Sequence, residues 1–169
     1  MTRKTYVFMD FDGVTHPWGE VEDFRSLPLI ESVLRLHLEA HIVIASDWRM
    51  LFSLNKLVSR FSEDVRPRIC GVTPQMIPKK GPELHGLRER EAMLWLAQHE
   101  AHPASAAWCA IDDAPGNWIT RSRLVLTDFK RGFTDEDAQR LHRMLDSLRN
   151  GDVLDPAMTR SSILNWGRA

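Results

Sequence analysis

Five short apolar runs rich in β-favouring residues punctuate the chain: Thr5–Met9, His41–Ala45, Arg68–Val72, Ala106–Ile111 and Arg123–Thr127. They do not alternate cleanly between apolar and polar positions. Strands apolar on both faces belong in a sheet covered on both sides, which is the setting of parallel strands. Longer amphipathic stretches lie between them, at about Pro28–Ala40, Arg49–Phe61, Leu87–Glu100 and Asp135–Leu148. The third sets Leu87, Met93, Leu94, Leu96 and Ala97 among charged residues. The last follows Thr134, with Asp137 three residues on, a capping-box pattern, and runs out at Asn150-Gly151, a natural C-cap. Strand–helix alternation predicts a doubly wound α/β domain over residues 1–150, with a mainly parallel sheet of about five strands and helices on both faces. Right-handed crossovers then bring every strand's C-terminal end to one edge, where ligands bind. Residues 151–169 form a tail to which the pattern assigns no element, although Ile163, Leu164 and Trp166 give it apolar surface to pack.

Length and charge narrow the picture. The 169 residues suit one domain, and 22 basic against 23 acidic residues leave a net charge of -1. A whole-protein electrostatic grip on nucleic acid or membrane is excluded, though not a local patch. No apolar run approaches the roughly 18 residues that span a bilayer, and the stretch before Asp10 is too short for a secretory signal. The two cysteines, Cys70 and Cys109, both lie in apolar runs and read as buried free thiols, which points to a reducing cytoplasm. Seven scattered histidines show no metal-ligand spacing.

The chemistry gathers at strand ends. The first strand runs into Asp10-Phe11-Asp12-Gly13, the second into Ser46-Asp47-Trp48-Arg49, and the fourth into Asp112-Asp113. Carboxylates converging on one sheet edge repel one another and desolvate badly, and a divalent cation relieves both costs. Hard oxygen ligands favour Mg²⁺, with Asp10, Asp12, Asp112 and Asp113 as its candidates. In extended chain Asp10 and Asp12 project to one side, roughly 6.6 Å apart. Asp10 could then attack a phosphate, while Asp12 protonates the leaving oxygen and later deprotonates water. Gly13 lets the backbone turn and approach a ligand. A DFDG turn with no further role is the plain alternative. Ser46 suits either a phosphoryl contact or the N-cap of the next helix, and Asp47 shares the cap alternative. Arg49 either binds substrate or pairs with an acid. Arg88, at the start of the third long helix, either steadies phosphoryl charge or belongs to a solvated Arg-Glu-Arg-Glu face.

Together these motifs resemble the haloacid dehalogenase (HAD) superfamily. FMDFDGVTHP is similar to its first motif, which implies Asp10 as nucleophile and Asp12 as acid/base. IVIAS resembles the second, ending in Ser46, and WCAIDD the fourth, which implies that Asp112 binds Mg²⁺ directly and Asp113 supports the metal shell. The third motif is usually a lysine near a helix start; here Arg88 stands as its substitute, with Lys79 and Lys80 as the fallback. The strings SDWR, GVTP, AIDD and LVLTDFKRGFT, with Arg88 preceding Trp95-Leu96, further resemble a small cap-poor group that includes the HAD domain of RNA-repair proteins.

The resemblance implies a phosphohydrolase. The links between motifs are too short for a sizeable cap, so an open site is expected, suited to a macromolecular end. Arg66, Arg68, Lys79, Lys80, Arg88, Arg90, Lys130 and Arg131 are expected to line its rim, and His16, Trp18 and Phe24 to offer rings that stack a base. The expected substrate is a phosphate monoester on a nucleotide or nucleic-acid end. A small-metabolite phosphatase and a catalytically weak binding module are the alternatives.

Overall fold

β1 (Thr5–Met9), β2 (Ala40–Ile44), β3 (Ile69–Val72), β4 (Ala107–Asp112) and β5 (Leu124–Leu126) form one five-stranded sheet in the order β3-β2-β1-β4-β5. All neighbours pair in parallel. The computed structural model describes residues 4–78, 81–152 and 154. The helices are α1 (Leu27–Leu36), α2 (Leu54–Val58), α3 (Leu87–His99) and α4 (Asp135–Asn150).

The period of two in the strands sorts side chains to two cores. Val7, Met9, Ile42, Ile44, Cys109 and Ile111 point to one face, where Ile30 and Leu34 of α1, Leu57 of α2 and Leu141, Met144 and Leu145 of α4 cover them. Tyr6, Phe8, Val43, Trp108 and Ala110 point to the other, beneath Ala92, Trp95 and Leu96 of α3. Leu94 and Ala97 of α3 face solvent instead of joining that core, because Arg88 and Glu91 occupy the inward stripe above Trp95.

Two helices and the burial of one cysteine differ from the sequence pattern. α1 stops at Leu36, short of Ala40, since Arg68 collects the freed carbonyls: its guanidinium donates to Leu34 O at 2.7 Å and also to His37 O and Ala40 O. The predicted helix over Arg49–Phe61 is a 3₁₀ turn, Asp47–Met50, followed by α2. Ser53 divides the two by accepting from Lys56 N and capping α2 afresh. Cys70 is exposed, not buried, because β3 is an edge strand; Cys109, in the sheet centre, is buried. The caps of α4 form as the sequence predicts. Asp137 accepts from Thr134 N at 2.9 Å, and Gly151 closes the helix in the left-handed conformation. The tail residues Ile163, Leu164 and Trp166 lie outside the described residues.

Sheet order reverses at β1, which has β2 on one side and β4 on the other. That switch point opens a crevice beyond the C-terminal ends of β1 and β4. The segments that follow the five parallel strands all leave from this edge, and among the described residues none of them forms a cap domain over it.

Candidate active site

Met9 pairs with Ile111 in register, so Asp10 and Asp112 leave adjacent strands side by side. Asp10 N donates to Ile111 O at 3.0 Å, and Asp10 Oδ1 accepts from Phe11 N at 2.7 Å. Asp112 is fully buried and accepts from Ala114 N and Trp118 Nε1, both at 2.8 Å. Asp10, Asp112 and Asp113 each bring a carboxylate oxygen within 4.8 Å of the others. Desolvation pushes all three carboxyls above their ordinary range, helped by the charges of Asp112 on Asp10, of Asp113 on Asp112 and of Asp10 on Asp113; Asp113 reaches about 6. Buried carboxylates that resist ionisation singly are stabilised by a shared cation, and three hard oxygens fit a divalent ion such as Mg²⁺.

Gly13 leaves room for this group. It has φ +68°, and a Cβ there would overlap the Asp113 carboxylate. Its carbonyl accepts from Thr127 Oγ1 at 2.7 Å, tying the turn to the end of β5.

Asp12 stands apart from the three-carboxylate group. Its Oδ2 accepts from Trp48 Nε1 at 2.9 Å and its Oδ1 lies 3.1 Å from His16 Nε2. The Thr15 hydroxyl gives its one hydrogen to Phe11 O at 2.9 Å, so His16 Nδ1, 2.9 Å from the same oxygen, carries a proton. His16 is 1% exposed and Phe24 is buried against it, so neither ring is available to stack a base. Trp18 is free to do so at 63% exposure, and its backbone N–H donates to Phe129 O beside the exposed Lys130.

Ser46 takes the N-cap reading, accepting from Trp48 N at the 3₁₀ turn, and it also hydrogen-bonds Asp10, holding that carboxyl down against desolvation. Arg88 lies inside the site and does not belong to a solvated face. It donates to Asp47 Oδ1 at 2.6 Å and to Glu91 Oε2 at 3.1 Å. Burial alone would lower its pKa, but Asp47, Asp10 and Glu91 outweigh that and raise it. Arg49 also turns inward, donating to Ser46 O and to Glu91 Oε2, both at 2.8 Å. Glu91, 1% exposed, thus holds two guanidinium groups, and its Oε1 accepts from Met76 N at 2.9 Å. The pattern missed Glu91 because it reads as one charge among Arg88-Glu89-Arg90-Glu91; its fall on the same helical face as Ala92, Trp95 and Leu96 is the signal that finds it.

Beside Arg88 and Asp47 opens a pocket of about 300 Å³, walled by Met50, Leu84 and Leu87, with Gln75 and Asn117 at its margin. Arg66 and Arg68 are not on this rim. They precede β3 at the opposite sheet edge, where Arg66 donates to Phe61 O and Arg68 serves the end of α1. Arg90 spends its guanidinium on His85 O and Glu83 O. Lys79 and Lys80 lie outside the described residues.

Residues 6–138 match the family described as the HAD domain in Swiss Army Knife RNA repair proteins. That span is most of the chain, and the chain belongs to this family of the haloacid dehalogenase superfamily. Membership gives it a domain of phosphohydrolase type. Comparison with curated proteins and with solved structures found no match. No helix among the described residues is long and apolar enough to cross a membrane.

Proposed function

We propose that this chain is a Mg²⁺-dependent phosphohydrolase that cleaves a phosphate monoester through an aspartyl-phosphate on Asp10, acting on a nucleotide or nucleic-acid end. The observation that carries the reading is the separation of two carboxylate roles at one sheet edge. Asp10 belongs to a three-carboxylate group with Asp112 and Asp113, while Asp12 is turned away to Trp48 and His16.

Asp10 attacks phosphorus, and the bond to the leaving oxygen breaks. Asp12 supplies that oxygen with a proton, and Trp48 and His16 hold its carboxyl in place. A water then attacks the aspartyl-phosphate, gives its proton to Asp12 and releases inorganic phosphate. Arg88, kept charged by Asp47 and Glu91, faces the transferring phosphoryl group, and Ser46 holds the attacking carboxylate. Asp10, Asp112 and Asp113 would hold Mg²⁺, which would supply neutralising charge for the nucleophile and the phosphoryl oxygens.

The open edge, the exposed Trp18 next to Lys130, and the half-apolar pocket beside Arg88 support a leaving group as large as a nucleotide. The test is phosphate release with Mg²⁺ from phosphorylated oligonucleotides, mononucleotides, sugar phosphates and an aryl phosphate. Preference for the nucleotide-bearing substrates supports the reading. Preference for sugar phosphates would favour a metabolite phosphatase, and no release from any would favour a binding module.

A further inference from the structure

At the sheet edge opposite Asp10, the corner between α1 and β2 meets α4. His37 closes α1, its side chain fully buried, and His142 and Asp146 lie one turn apart on α4. His37 Nε2 is 2.7 Å from His142 Nδ1, and His142 Nε2 is 3.3 Å from Asp146 Oδ2. Ligand atoms from all three residues lie within 4.8 Å of one another.

We propose that His37, His142 and Asp146 form a second metal site, distinct from the carboxylate group of the active site, which takes a borderline-soft divalent ion such as Zn²⁺.

Donor chemistry supports this. Two imidazoles and one carboxylate suit Zn²⁺, whereas the all-oxygen group at Asp10 suits Mg²⁺. The His37 side chain is fully buried, so its ring nitrogens face protein groups and not solvent. Glu39, only 6% exposed, lies 3.3 Å from His37 Nδ1. A carboxylate accepting from Nδ1–H leaves the Nε2 lone pair facing His142, and such carboxylate–histidine pairs orient metal ligands. His37 is also fixed through its backbone, since Arg68 holds its carbonyl. Arg149 pairs with Asp146 Oδ1 and approaches Glu39 to 4.0 Å, leaving Asp146 Oδ2 towards His142. Glu39 and Asp146 are balanced in charge by Arg149 and by Arg68, so donor atoms and not net charge would hold the ion.

Tetrahedral Zn²⁺ with nitrogens at about 2.0 Å needs them about 3.3 Å apart, so the two rings must part by roughly half an ångström. His142 and Asp146 are 45% and 35% exposed, so they are free to make that shift and open to water as a fourth ligand. Bound metal would fasten the α1–β2 corner to α4, positions 105 residues apart in the chain.

The test is calorimetric titration of metal-free protein with ZnCl₂ in excess Mg²⁺, which occupies the carboxylate group, followed by thermal unfolding. Wild type is expected to bind one Zn²⁺ and melt higher. His142→Ala and Asp146→Asn, both at half-exposed positions, should weaken binding at least tenfold while remaining folded. Glu39→Gln should weaken it about 10–100-fold. Asp112→Asn should bind Zn²⁺ like wild type, and Co²⁺ should give the intense visible bands of a tetrahedral nitrogen-bearing site. No saturable Zn²⁺ binding by wild type overturns the proposal, as does equal binding by His142→Ala.

Discussion

Arg88 and Glu91, one turn apart on α3, are joined by a hydrogen bond of 3.1 Å from a guanidinium to a carboxylate that are both buried. The same carboxylate oxygen accepts from Arg49 at 2.8 Å. Removing Glu91 therefore strands two cations. Glu91→Ala should lower unfolding free energy by about 3–5 kcal/mol, the cost of breaking a buried ion pair by deleting one partner. Chemical denaturation checks this. A loss below about 1 kcal/mol would mean that the two arginines find water or other partners.

Arg88 grips Asp47 and Glu91, not Asp10, which it meets through charge alone. Its expected role is to present fixed positive charge to the phosphoryl group. Arg88→Ala should cut turnover by roughly 10²-fold, the loss typical of one preorganised donor, with Arg88→Lys recovering part of it. Arg90→Ala should change turnover little, because Arg90 binds backbone carbonyls of its own segment. Steady-state kinetics of the three variants decides. An Arg88→Ala enzyme near wild type would remove Arg88 from the site.

Gly13→Ala adds a methyl group where the Asp113 carboxylate stands, at a backbone angle that L-residues adopt with strain. Mg²⁺ affinity should fall, and activity at low Mg²⁺ should fall further than activity at saturation. Activity titrated against Mg²⁺ reads this, and an unchanged half-saturation point would contradict it.

Asp113 titrates near pH 6 in the folded chain, raised by desolvation and by Asp10, against about 4 when unfolded. Between these values the native state binds more protons, so stability without metal falls as pH rises from about 4 to 6. Thermal unfolding in EDTA across that window should show a smaller fall for Asp113→Asn than for wild type. Mg²⁺ should flatten the wild-type curve, and identical slopes would contradict the assignment.

The sheet was legible because its strands are apolar on both faces, which few other settings allow. Asp10, Asp112 and Ser46 were legible because strand ends fall together at one edge once the strands are parallel. What pattern could not supply was partnership across sequence. His16 reads as a flap ring but is buried against Asp12, and Arg68 reads as a rim cation but closes α1. His37 and His142 show no ligand spacing, since their contact exists only after α4 docks beside α1. Cys70 follows the same logic, because its exposure depends on β3 lying at the sheet edge.

The covalent role of Asp10 is tested most directly by acid-quenching the enzyme during turnover of a phosphate-labelled substrate. The account predicts protein-bound label that needs Mg²⁺ to form, is released by hydroxylamine as an acyl phosphate, and is absent from Asp10→Asn. Asp12→Asn should accumulate more of it from substrates with good leaving groups, since the second step then lacks its base. Turnover by Asp10→Asn at near wild-type rate, with no label trapped in wild type, would contradict the account.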